Sequence, residues 1–118
     1  MKAIVVRAFG GPEQLELTDL PTPTPGPGEA LVRVAACGVC GHDLLDRKGL
    51  LPSVRLPQVL GHEITGTVVE VGPRVANVRV GDRVVLDGVL TCRQCWWCQH
   101  GYPTQCPAMA GVGFAIDG

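Results

Sequence analysis

Four cysteines in a short, weakly periodic stretch constrain this chain more than any other feature. Cys92, Cys95, Cys98 and Cys106 fall as C-x2-C-x2-C-x7-C. The surrounding segment, 91–107, has too little apolar pattern to bury a core of its own and needs an external staple. A C-x2-C step lets two thiolates converge on one ion, and zinc prefers four ligands in a tetrahedron. Four thiolates leave no open position, so the expected ion is a structural zinc. A rubredoxin-like iron site also uses four thiolates, but from two well-separated C-x2-C pairs. An iron–sulfur cluster can use C-x2-C-x2-C spacing and a Cys-Pro step like Cys106-Pro107, but with a shorter last gap. Arg93, Gln94, Trp96 and Trp97 fill the gaps of the lobe, the tryptophans as packing residues and His100 as an exposed histidine.

The rest of the composition narrows the class. At 118 residues the chain is long enough for one core. Apolar residues make up 46% of it, and the net charge is -1 with no basic run, which argues against a nucleic-acid partner. No window approaches the roughly 20 apolar residues of a membrane span, and Met1 to Arg7 reads as a strand where a signal peptide would be apolar and longer. A cytoplasmic location is expected. There thiols stay reduced, so six cysteines point to metal before disulfides.

Short strands with turn signals between them predict a mainly β fold, a small barrel or sandwich. Lys2 to Arg7, Gln14 to Leu20, a buried Ala30 to Ala36, Glu63 to Val71 and Arg83 to Leu86 are the expected strands. Pro21 to Gly28, with four prolines and two glycines in eight residues, reads as a stiff extended connector. Asp43 to Lys48 reads as a short helix stopped by Gly49, and Leu50 to Leu60 as a loop. The strand runs are too closely spaced for helical crossovers, which disfavours a parallel sheet.

A second, open metal site is suggested by Cys40 and His62, 22 residues apart. Alone such a pair is weak. Glu63 directly follows His62, and Asp43 lies three residues after Cys40, placed to accept the second N–H of a metal-bound imidazole. Cys and His with a third ligand from elsewhere is a catalytic zinc composition. The segments PGPGEALVRVAACGVCGHD, GHEITGTVVEVGPRV and GDRV, together with the four-cysteine lobe, resemble the N-terminal part of zinc-dependent, medium-chain alcohol dehydrogenases. GHE-x2-G-x5-G-x2-V, from Gly61 to Val75, matches that family's zinc signature, and the resemblance covers essentially the whole chain.

The resemblance implies a GroES-like, partly open β-barrel and two zincs per subunit. One is catalytic, on Cys40 and His62 with Glu63 able to exchange as a ligand; the other is structural, on the lobe. It implies Lewis-acid assistance to hydride transfer from an alcohol to NAD or NADP, with a small alcohol or carbonyl compound as substrate. Family members usually carry Ser or Thr two residues after the ligand cysteine, where this chain has His42. We expect His42 to take the substrate proton itself, since an imidazole ordinarily titrates near about 6.5. Packing and zinc coordination are its other possible roles. Gly41 stands where relatives often have Arg or His near the cofactor pyrophosphate. Cys37 is expected as a buried free thiol rather than a ligand. No G-x-G-x-x-G motif occurs. The resemblance thus places the remaining barrel strands, a third zinc ligand and the dinucleotide-binding domain beyond Gly118. Residues 1–118 alone are expected to be an inactive, incomplete catalytic domain, self-associating through an open sheet edge.

Overall fold

The computed structural model describes residues 1–52 and 54–118. In chain order the strands are β1 (Lys2–Val6), β2 (Leu15–Asp19), β3 (Ala30–Gly38), β4 (Gln58–Val59), β5 (Glu63–Val71), β6 (Arg83–Val85), β7 (Val89–Leu90) and β8 (Ala110–Gly111). Two helices, α1 (Gly41–Arg47) and α2 (Trp96–Gln99), and 3-10 turns at Pro12–Gln14 and Pro103–Gln105 complete the list. The fold is mainly β, with three small antiparallel sheets ordered β2-β1-β4, β3-β5-β6 and β7-β8.

The first sheet grows from local alternation. β1 and β2 pair from Lys2↔Asp19 to Val6↔Leu15, and Val5 and Val6 turn into the core, the latter with no exposed surface. The other edge of β1 pairs with Gln58–Val59. The expected loop at 50–60 therefore contains a two-residue strand, made by the free edge of β1 and not by any pattern of its own.

The second sheet positions the chemistry. β3 and β5 run antiparallel, with register shifts between Leu31 and Val32 and between Val34 and Ala36. Such bulges bend a strand and increase its twist. Val68, 1% exposed, is the buried centre of β5. The turn before β6 closes on it: Val68 N–H donates to Asp82 O, and Gly81 N–H donates to Val68 O, both at 2.9 Å.

Ala30 to Ala36 departs from expectation. The strand forms and extends to Gly38, but it is half-buried to exposed, and Val34 keeps 54% of its surface. β3 is an edge strand, paired on one side only among the described residues. Its apolar face opens onto a cleft of about 1010 Å³ lined by Leu31, Val32, Val34, Ile64, Val84 and Leu86. Apolar composition is therefore a poor guide to burial at this strand. Among the described residues no helix is long and apolar enough to cross a membrane.

Candidate metal centres

The register of the second sheet brings the first centre together. Gly38, last in β3, sits opposite Glu63, first in β5. The chain continues from Gly38 to Cys40 on one side and arrives from His62 on the other, so both side chains fall at one sheet end. A Cβ on Gly38 would collide with the Glu63 carboxylate. Gly61 has φ +104°, a left-handed backbone that glycine adopts without strain, and it sets the direction in which His62 leaves the loop.

Cys40 caps α1, which therefore begins at Gly41, two residues before the expected start. His42 N–H donates to Cys40 Sγ at 3.2 Å, and Cys40 N–H donates to Asp43 Oδ2 at 2.9 Å. This reciprocal arrangement follows capping-box logic and fixes the thiol at the helix start. Cys40 Sγ lies 3.2 Å from His62 Nε2, close to the roughly 3.5 Å that zinc–sulfur and zinc–nitrogen bonds subtend at a tetrahedral angle. Ligand atoms of Cys40, His62 and Glu63 all lie within 4.8 Å of one another. Behind them, His62 Nδ1 faces Asp43 Oδ1 at 3.6 Å, and both atoms are buried without a hydrogen-bond partner. That pattern suits an imidazole whose Nε2 serves a metal and whose Nδ1–H settles onto the carboxylate. Asp43→Ala is expected to weaken metal binding here by roughly 10- to 100-fold, as read by competition with a zinc chelator.

His42 does not join the ligand cluster. Its ring stacks on Phe114, with centroids 5.1 Å apart and 12° between planes, and meets His62 edge-on at 5.9 Å. Phe114 also stands edge-on to His62. Nothing in the sequence singles out Phe114, because a glycine-rich tail has no periodicity that would aim a ring at the site. Cys37 is exposed, not buried. Its sulfur lies 2.7 Å from where a Gly61 Cβ would stand. Partial burial, with the nearby Asp43 charge adding, pushes that thiol above its ordinary range, which suits a spectator rather than a thiolate ligand.

The second centre is the lobe. Sγ separations are 3.5 Å for Cys95–Cys98, 3.6 Å for Cys92–Cys106 and 4.0 Å for Cys92–Cys98. Zinc–sulfur bonds of about 2.3 Å at tetrahedral angles require about 3.8 Å, so the four thiols already have the geometry of one closed site. Backbone amides of Gln94 and Cys95 hold the Cys92 thiol down to about 6, and Cys95 N–H donates to Cys92 Sγ at 3.3 Å. α2 is a single turn that carries Cys98 inward and leaves Trp96 and Trp97 outside, 57% and 43% exposed. His100 is exposed as expected; its ring stacks on Trp96, and its Nδ1 lies 2.7 Å from Trp96 O.

Residues 26–118 match the family described as "Alcohol dehydrogenase GroES-like domain". The chain belongs to that family. This GroES-like domain is 44% identical over 107 residues to an L-threonine 3-dehydrogenase of Streptomyces avermitilis, covering 88% of this chain and 31% of that protein. It is 38% identical over 119 residues to an acryloyl-coenzyme A reductase of Sulfurisphaera tokodaii, covering 100% of this chain and 35% of that protein. A solved NAD-dependent alcohol dehydrogenase superposes with TM-score 0.94 at 43% identity, over 100% of this chain and 35% of the other. The GroES-like domain thus spans about a third of the length of the proteins it matches.

Proposed function

We propose that this GroES-like domain carries the zinc centres of an oxidoreductase that oxidises an alcohol with NAD or NADP. The observation that carries the reading is the convergence of Cys40 Sγ and His62 Nε2 at 3.2 Å with Asp43 behind the imidazole, beside a separate closed four-thiol lobe. Cys40 and His62 hold the catalytic zinc, Glu63 is a neighbour able to exchange as a ligand, and Asp43 orients His62. Cys92, Cys95, Cys98 and Cys106 hold a structural zinc. When bound, the catalytic zinc supplies Lewis acidity toward the substrate oxygen. His42 takes the substrate proton. The nicotinamide cofactor binds in a domain outside these 118 residues. The protein acts in the cytoplasm and self-associates through an open sheet edge.

The test is nicotinamide reduction by a panel of alcohols, using zinc-loaded protein carrying this domain. Turnover is expected with at least one alcohol class, and His42→Ala is expected to lower kcat by about 10²- to 10⁴-fold while KM changes little. An unchanged kcat and pH–rate profile in His42→Ala would remove His42 from proton transfer.

Two observations favour a second reading. Position 42 carries an imidazole under a phenyl ring instead of the hydroxyl usual for alcohol oxidation, and one relative bears the name acryloyl-coenzyme A reductase. Reduction of an unsaturated acyl-coenzyme A is that reading. Oxidation of reduced nicotinamide by acryloyl-coenzyme A, with no turnover of any alcohol, would establish it.

A further inference from the structure

Asp46 is the group that neither zinc centre uses. It is 1% exposed, and both of its carboxylate oxygens are closed to solvent with no hydrogen-bond partner. Its neighbour Arg47 does not serve it; that guanidinium donates to Gly10 O at 2.9 Å. Asp43 and His62 are the other titratable groups that bear on it. Asp43 is a fellow acceptor, committed to Cys40 N–H and facing His62. A buried carboxylate is costly unless a donor meets it.

One donor stands within reach. His42 lies one helical turn earlier on α1, the i,i+4 spacing that puts two side chains on one face. Its Nε2 is 3.8 Å from Asp46 Oδ2. On the flat side the His42 ring is covered by Phe114. The ring is therefore bounded by a phenyl face and by a carboxylate with nothing else to bind. Burial raises the Asp46 carboxyl above its ordinary range, and the facing His42 opposes that shift.

We infer that Asp46 is a positioning residue for His42. It accepts a hydrogen bond from His42 Nε2–H, the 3.8 Å gap closing by a small rotation of either side chain. This fixes the imidazole against Phe114. The hydrogen bond stands by itself; its consequence for turnover rests on the assignment of proton transfer to His42.

The experiment uses zinc-loaded protein carrying this domain together with its cofactor-binding part, labelled with ¹⁵N-histidine, at mildly alkaline pH. His42 is expected to show a downfield, slowly exchanging Nε2–H proton. That signal is expected to vanish in both Asp46→Ala and Asp46→Leu, two variants so that failure of one to fold leaves the other. kcat is expected to fall in the variants on the order of 10- to 100-fold, as when outer-shell partners of site residues are removed. Absence of the signal from the unaltered protein, or its persistence in both variants, overturns the inference. A vanished signal with unchanged kcat supports the hydrogen bond and overturns the proton-transfer role of His42 instead.

Discussion

Cys98→Ala is expected to empty the lobe and unfold it while leaving most of the remaining sheet intact. Cys98 Sγ lies 3.5 Å from Cys95 Sγ and 4.0 Å from Cys92 Sγ, so its loss opens one corner of the tetrahedron. Little else holds the segment. α2 is one turn long and buries none of its residues, and Cys106 is the lobe's buried apolar residue. Structural zinc contributes about 10–16 kcal/mol of apparent binding free energy in small zinc folds, and here that binding would be the main source of order. A destabilisation of roughly 4 kcal/mol or more is expected, in the class of lost metal sites. Hydrogen exchange should show the failure spreading from 91–107 into the Val89↔Gly111 and Leu90↔Ala110 pairs that flank it. The Lys2↔Asp19 to Val6↔Leu15 ladder should stay protected. Equal protection of the lobe in variant and unaltered protein would show that packing, not metal, orders it.

The complementary substitution removes chemistry and spares the fold. Cys40→Ala or His62→Ala deletes one of the two convergent ligands. Each is expected to lower turnover by roughly 10³-fold or more, since a catalytic metal supplies several kcal/mol of transition-state stabilisation and about 1.4 kcal/mol is tenfold. Cys40→Ala also removes the acceptor of His42 N–H, an effect confined to the start of α1. The lobe should stay folded in both variants. The two centres should also differ in lability. The lobe would hold its zinc with four thiolates, whereas the Cys40 site offers one thiol, one imidazole and an exposed carboxylate. A chelator should therefore empty the Cys40 site first and abolish turnover before the lobe unfolds.

These expectations draw unequally on the sequence. The meeting of the four lobe cysteines was legible because C-x2-C spacing is a local geometric demand, and all four sulfurs converge. β1, β2 and β5 were legible to within a residue or two at their ends because alternation and valine content are local as well. Features set by neighbours were not. β4 exists because β1 has a free edge, and α2 because four sulfurs must converge. β3 was recognised as a strand but misjudged as buried, since its exposure depends on what stands across the cleft. The meeting of Cys40 with His62 was suggested only by motif resemblance; the Gly38↔Glu63 register supplies the physical cause. Asp46 was within reach of sequence reasoning, one helical turn from His42. Only burial shows that its carboxylate lacks a partner, and Phe114 lacked even that periodic signal.

We propose a pair of zinc centres, one closed and structural, one open and catalytic. Zinc content per chain, measured side by side in the unaltered and Cys40→Ala proteins, tests it most directly. Two zincs are expected in the unaltered protein and one, held by the four lobe thiolates, in the variant; a single zinc in both, or iron in place of zinc, would contradict the two-centre assignment.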